Sequence, residues 1–278
     1  MNMEFKWENY KRAIEKEFTI VNKNKIEVPF ILNRPQNDIL QKLTLRNTVL
    51  KCRKLGFSSL FLAIGALKFI LGNNERVVSM SFDADASVKQ LERAKRFIES
   101  FEKKNGIIIP KKYNSKNEMV YERTGNDGTK YVNTFRIGTA KVDSFGRGDD
   151  ISYLHLTEVS LADNLESLLA GVGEATVNNA MITLETTANG FNSFKTFWDE
   201  AELGERGYKT FFYNPSWEYN EDFLNQKRKE LKRMFSQEYP MTSQEAFLST
   251  GDLFFDRLSL TEYFNQVKEP INEGLIYV

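Results

Sequence analysis

Short apolar runs alternate with segments of helical periodicity along most of this 278-residue chain. The runs predict strands at 48–50, 77–82, 153–159, 180–186 and 208–213. Apolar residues three or four positions apart predict helices at 60–71, 87–103, 163–169 and 193–201. A polar, glycine-containing loop between 119–123 and 131–138 predicts a hairpin. Because helices supply the crossovers that parallel strands need, we predict an α/β fold: a mostly parallel sheet with helices on both faces.

The pattern changes after Asn214, where helical segments follow one another without a strong strand. Helices are predicted at 221–235, near 243–248 and from Leu258 onward. We place a subdomain boundary near residue 205. The predicted organisation is a core over 1–204, a small, mainly helical lid over 205–265, and a connecting segment over 266–278.

Composition excludes several classes of protein. Lys plus Arg and Asp plus Glu both number 38, so overall charge does not indicate a nucleic-acid partner. One Cys and one His exclude a Cys/His zinc site and an internal disulfide, which fits an intracellular setting. The most apolar run, 60–71, is shorter than the roughly 20 residues of a membrane span. The N-terminus lacks the apolar core of a signal peptide.

The segment 50–59 places a strand, a tight loop and a helix in succession, which is the context of a phosphate-binding loop. Gly56 lets the backbone approach a ligand closely, and the hydroxyl of Ser58 can hold Mg²⁺. The pattern G-x-x-x-x-G-K-[ST] is not met, because Lys51 stands at its first glycine and Phe57 at its lysine. Alone, the segment is also compatible with a surface turn that carries basic residues.

Three further segments suit a nucleotide hydrolase. Gln36, in LNRPQ, has an amide that can both donate to and accept from adenine. Glu158 ends the β-rich run 151–158, where a carboxylate can orient and activate water. Thr187 and Asn189 follow the run 181–185, in a loop suited to sensing a γ-phosphate or only to forming a turn.

In order and spacing these segments resemble the ATPase domain of phage terminase large subunits. LNRPQ is similar to the family's adenine-contacting motif, KCRKLGFSS to its phosphate loop with the lysine at the start, YLHLTE to its Walker B strand, and TTANGFNSF to its coupling motif. EYPMTSQEAFLSTGDLFF resembles the segment that closes the ATPase region. The resemblance covers about residues 25–260 and implies a P-loop NTPase core with a helical lid.

The resemblance also implies roles for individual residues. The ATP-binding set is Gln36, Lys51, Arg53, Gly56, Ser58 and Ser59, with Lys51 and Arg53 near the β- and γ-phosphates. Both basic residues could instead be solvated surface charges, and Ser58 could serve as a helix cap as well as an Mg²⁺ ligand. Thr187 and Asn189 would couple hydrolysis to motion.

Glu158 would be the catalytic carboxylate, since an acidic group at the end of a buried strand is costly without a function. Thr157 precedes it where many such ATPases carry Asp. Its hydroxyl can bind a metal only indirectly, through water, and brings no negative charge. Arg147, between Gly146 and Gly148, would enter a neighbouring subunit's site, or be only a surface arginine in a flexible loop.

As a terminase motor, the chain would hydrolyse ATP with Mg²⁺ and drive double-stranded DNA into a procapsid in the host cell cytoplasm. Its partners would be the portal protein, the small terminase subunit and further copies in a ring. Nuclease activity, which resides in a separate domain of the family, is not expected in these residues. One alternative is a helicase-like DNA translocase, which needs further motifs and a second motor domain. A second alternative is a nucleotide-binding docking module with little hydrolysis, because Phe57 and Thr157 depart from the motifs of an active hydrolase.

Overall fold

The computed structural model describes residues 6–22, 24–82, 84–115, 117–125, 127–139 and 150–248, together with 263, 266 and 267. Its strands are β1 (Thr19–Val21), β2 (Glu27–Pro29), β3 (Arg46–Lys51), β4 (Arg76–Ser81), β5 (Lys111–Asn114), β6 (Glu118–Thr124), β7 (Lys130–Thr139), β8 (Ile151–Thr157), β9 (Thr176–Thr186) and β10 (Lys209–Tyr213). Its helices are α1 (Trp7–Glu17), α2 (Arg34–Lys42), α3 (Phe57–Leu71), α4 (Ala84–Asn105), α5 (Leu165–Ala175), α6 (Ser193–Glu202), α7 (Glu221–Leu231), α8 (Phe235–Glu238) and α9 (Ser243–Leu248).

The central sheet has eight strands in the order β10-β3-β9-β8-β4-β7-β6-β5. Neighbouring strands from β10 to β7 run parallel, whereas β6 and β5 continue the sheet as antiparallel strands. One hydrophobic core packs α1 to α4 against the sheet, and a second core holds α5, α6 and residues of α9. The sheet and its two helical layers confirm the predicted α/β fold class. Within the described segments, no helix is both long and apolar enough to cross a membrane.

Helix α3 is apolar nearly all round because it is enclosed by the sheet, α1 and α4. Its residues from Leu60 to Leu67 are all buried, and Lys68 at its last turn reaches the carboxylate of Glu75 at 3.3 Å. The helix begins directly after Gly56 and follows β3 through a short loop. A long buried helix therefore fixes the position of the loop at its N-terminus.

The predicted boundary near residue 205 comes too early. β10 pairs in parallel with β3, with Phe211 opposite Val49, and the side chains of Phe211 and Tyr213 join the first core. The sheet thus extends to Tyr213, and the helical segment follows it. The predicted helix at 221–235 is interrupted at Lys232, whose φ of +47° breaks the helical geometry.

The helical segment has a small core of its own, in which Leu224, Phe235 and Tyr239 pack together. The predicted helix near 243–248 is α9, and its Ala246 and Phe247 belong to the second core of the main sheet. The predicted helix from Leu258 and nearly all of the connecting segment at 266–278 lie outside the described residues.

Candidate functional site

A cleft of about 370 Å³ lies at the carboxyl ends of β3, β8 and β9. Parallel strands end at the same edge of a sheet, and small ligands commonly bind at that edge. The sheet side of the cleft is lined by Lys51, Arg53, Gly56, Ser58, Ser59, Thr157, Glu158 and Thr187. Helix α4 forms the opposite wall. The structure therefore brings most of the predicted site residues into one cleft.

Gly56 is the N-cap of α3 and adopts φ +80°, a conformation that side chains rarely tolerate. A β-carbon at this position would lie 2.7 Å from Nε2 of Gln36. Glycine has no side chain with which to cap the helix, so the partial positive charge of the N-terminus is available to an anion. This geometry suits the predicted phosphate loop.

Gln36 lies beneath this loop and is 3% exposed. Its Nε2 donates to the carbonyl oxygen of Gly56 at 2.7 Å, and its Oε1 accepts from the backbone N–H of Asn33 at 3.0 Å. Asn33 in turn caps α2, so that Asn33 and Gln36 form a capping box. The amide therefore supports the phosphate loop, and its contact with adenine stays a prediction.

Two basic residues of the loop differ in their surroundings. Lys51, the last residue of β3, is 7% exposed, and its charge lies close enough to Glu158 and Glu185 to favour the ionised form of each carboxyl. Arg53 is exposed, and its guanidinium forms an ion pair with Glu238 of α8. Its backbone N–H also donates to the carbonyl oxygen of Glu238 at 3.3 Å. Arg53 thus joins the phosphate loop to the helical segment.

Glu158 is the first residue after β8 and adopts φ +60°, so the predicted strand ends two residues early, at Thr157. Its backbone N–H donates to the carbonyl oxygen of Glu185 at 2.8 Å. Burial raises the pKa of the Glu158 carboxyl; the charge of Glu185 adds to the rise and Lys51 opposes it. A carboxylate with a raised pKa is a better base toward water.

Glu185, in β9, is the central residue that sequence reasoning missed. It is fully buried, and its Oε1 accepts from the hydroxyls of Ser58 and Thr157, the latter at 2.9 Å. Nε2 of His155 lies 3.4 Å from the same oxygen. Burial alone would raise the pKa of Glu185, but Lys51, His155 and Ser58 together lower it to about 2. The signal was an acidic residue near the end of an apolar strand, as at Glu158.

The loop after β9 contacts the segment after Glu158. Ser160 Oγ donates to the carbonyl oxygen of Thr187 at 2.8 Å. The backbone N–H of Thr187 donates to the side-chain carboxyl of Glu158. Asn189 is exposed: its Nδ2 makes a long contact with the carbonyl oxygen of Ser160 at 3.5 Å, and its own carbonyl oxygen accepts from Nδ2 of Asn192 at 3.1 Å. Thr187 therefore reaches the cleft directly, whereas Asn189 lies one layer further out. Arg147 lies outside the described residues.

Helix α4 contributes cleft residues that the sequence analysis did not single out. Lys89 and Arg93, one helical turn apart, are exposed and line the wall opposite the phosphate loop. Between them, Gln90 is buried and accepts from Ser79 Oγ at 2.9 Å. In the sequence, Lys89 and Arg93 belong to a polar helix face, and such a face usually only contacts solvent.

The donors in the cleft fit a magnesium–nucleotide complex. Across the described segments, no group of three His, Cys, Asp or Glu residues could hold a metal alone. Mg²⁺, however, usually takes only one or two protein oxygens and completes its shell with water and phosphate. Ser58 and Thr157 place hydroxyls beside the ionised Glu185. These oxygens are the type that Mg²⁺ prefers.

No family model matches the chain, and no curated protein matches its sequence. Solved structures do match. The large terminase ATPase domain of Thermus phage P74-26 is 14% identical, with a TM-score of 0.56 over 76% of this chain and 92% of that one. The HK97 bacteriophage large terminase is 15% identical, with a TM-score of 0.57 over 90% of this chain and 51% of that one.

A third match is the large terminase of another thermophilic bacteriophage, solved in complex with ATP-gamma-S. It is 14% identical, with a TM-score of 0.52 over 70% of this chain and 46% of that one. At such identities the likeness concerns the fold. The chain shares the α/β fold of large-terminase ATPase domains, as its motifs predicted.

Proposed function

We propose that this chain is the ATP-hydrolysing motor domain of a viral terminase large subunit. The observation that carries the proposal is the convergence of Lys51, the Gly56 loop, Ser58 and Glu158 on one cleft. These are the residues that the motifs assign to nucleotide, and they lie on a fold shared with terminase ATPase domains. The third matching terminase was solved with ADP and with ATP-gamma-S, which supports a nucleotide as the ligand.

The reaction is the hydrolysis of ATP to ADP and phosphate. The start of α3 and the buried Lys51 place positive charge where the phosphates would lie. Glu158 orients the attacking water and accepts its proton, for which the raised pKa of its carboxyl is suited. Ser58 would hold Mg²⁺, and the bound metal would supply positive charge to the phosphate oxygens.

Hydrolysis would drive double-stranded DNA into a procapsid in the host cell cytoplasm. The contact of Thr187 with both Glu158 and Ser160 supports a coupling role for the loop after β9. Further copies in a ring, the portal protein and the small terminase subunit are the proposed partners. Arg147 would complete a neighbour's site, so mixed rings of Glu158→Gln and Arg147→Ala protein should regain activity that neither variant has alone.

A nucleotide titration tests the proposal. A fluorescent ATP analogue should bind the parent chain in the presence of Mg²⁺, and Lys51→Ala should weaken binding by at least about tenfold, the size of one charge-assisted contact. Lys42→Ala, which removes an exposed lysine paired with Asp38 outside the cleft, is the matched control. Equal binding by the parent, Lys51→Ala and Lys42→Ala proteins would remove the cleft as the nucleotide site.

A further inference from the structure

Thr157 and Glu185 stand directly opposite each other on the neighbouring parallel strands β8 and β9. Residues paired in this way project to the same face of a sheet. Their side chains meet, since Thr157 Oγ1 donates to Glu185 Oε1 at 2.9 Å. The negative charge that is absent from position 157 is therefore present on the adjacent strand, within hydrogen-bond distance.

Ser58 contacts the same carboxylate from the phosphate loop. Its hydroxyl donates its one proton to Glu185 Oε1. A hydroxyl also carries two lone pairs, so the oxygen of Ser58 can still bind a cation while its proton stays on Glu185. The contact thus orients the lone pairs of Ser58 and adds a negative charge behind them.

The second carboxylate oxygen of Glu185, Oε2, is the observation that indicates a bound ligand. Oε2 is buried and, among the described residues, has no hydrogen-bond partner. A fully buried carboxylate with an unsatisfied oxygen is costly, so its retention suggests a group that the protein alone does not provide. A hydrated divalent cation satisfies the charge and the hydrogen-bonding capacity together.

We propose that Glu185 supplies the carboxylate of the magnesium site, together with Ser58, and replaces the acidic residue that Thr157 lacks. The inference rests on the proposed function, because the cation would arrive with the nucleotide. It separates the tasks of two glutamates. The fully buried Glu185 holds the cation directly or through a coordinated water, while Glu158, which lines the cleft, is left to act on the attacking water.

The first test compares nucleotide affinity with Mg²⁺ and with EDTA. The parent should bind the ATP analogue more tightly with Mg²⁺. With Mg²⁺, Glu185→Gln should bind the analogue at least about tenfold more weakly than the parent does, as expected when a metal-supporting group is removed. In EDTA, the variant and the parent should bind it equally. Glu17→Gln is the control, since Glu17 is also buried and bonds to Asn105 far from the cleft.

A charge exchange separates metal binding from folding. Glu185→Thr should lose the effect of Mg²⁺, and Thr157→Asp combined with Glu185→Thr should restore it, because the carboxylate then returns on the adjacent strand. A merely structural glutamate would give no such rescue. Thermal unfolding of each variant identifies any protein that does not fold.

The parent chain itself provides a test that needs no variant. In its complex with ATP-gamma-S and Mg²⁺, Glu185 should lie in the coordination shell at about 2.1 Å or contact a water of that shell. A metal whose shell and waters exclude Glu185, or an unchanged Mg²⁺ effect in Glu185→Gln, would overturn the assignment alone. Failure of the parent to bind nucleotide under either condition would remove the proposed function as well.

Discussion

The side-chain amide of Gln36 donates to the carbonyl oxygen of Gly56 at 2.7 Å and so connects α2 to the start of α3. The same nitrogen lies 2.7 Å from the place where a β-carbon of residue 56 would stand. This loop conformation therefore needs a glycine at position 56 and a side-chain amide at position 36. Each of the two residues can be tested separately.

Gly56→Ala should lower both stability and nucleotide affinity. Alanine at φ +80° costs about 1 kcal/mol or more of folding free energy, and its β-carbon would displace the Gln36 amide. Gly204→Ala is a matched control, because Gly204 has φ +82° and nothing within 4 Å of its β-carbon position. Chemical denaturation should show a loss in both variants, and a nucleotide titration should show a loss only in Gly56→Ala. Equal nucleotide affinities would mean that the loop does not contact the ligand.

Gln36→Ala should weaken the binding of ATP and GTP to a similar degree. Both atoms of the Gln36 amide are already bonded within the protein, which makes support of the loop its main effect. Parallel titrations with the two nucleotides measure this. A loss confined to ATP would instead support the direct adenine contact that the motif predicted.

Glu238→Gln should raise nucleotide affinity by a factor of up to about five. The exposed guanidinium of Arg53 is paired with Glu238, and an exposed ion pair is worth about 1 kcal/mol or less. Without that partner, Arg53 is free to turn toward the phosphates. Glu230→Gln, which removes the exposed ion pair with Lys227 in the same helical segment, should leave affinity unchanged. Lower affinity in Glu238→Gln would show that the ion pair helps to form the site.

The fold and the strand–loop–helix arrangement around Gly56 could be predicted because their signals are local. The apolar runs that became β3, β4 and β9 are short and bounded, and α3 is too apolar to be anything but buried. Loop length and Gly56 then placed the helix start at the carboxyl edge of the sheet. Helix α2 was missed, although its capping box, Asn33 with Gln36, was a usable signal.

The partners of the site could not be predicted, since they depend on which strands become neighbours. Thr157 and Glu185 are far apart in sequence and meet only because β8 pairs with β9 in one register. Lys89 and Arg93 reach the cleft through the packing of α4, which a helical pattern does not reveal. The pairing of Arg53 with Glu238 likewise depends on where the helical segment folds back.

Without Mg²⁺, Glu185 should make the fold more stable above about pH 4.3 than at lower pH. The pKa of Glu185 is about 2 in the folded chain and about 4.3 in an unfolded one, so the unfolded state binds its proton first as pH falls. The stabilisation is complete above the unfolded pKa and disappears as pH approaches 2. Denaturation in EDTA should therefore show a weaker pH dependence for Glu185→Gln between these values. Parallel curves for parent and variant would contradict the assigned charge state.

Under the proposed function, Glu158 activates water in a cleft that binds ATP. This role is tested by a single-turnover measurement of phosphate release, with protein in excess over ATP and Mg²⁺ present, on the parent and on Glu158→Gln. The amide keeps the shape of the carboxylate but cannot accept the proton of water, so the variant should bind ATP as the parent does and release phosphate at least about a hundredfold more slowly. Phosphate release at the parental rate by Glu158→Gln, or ATP binding without any phosphate release by the parent, would contradict this role of Glu158.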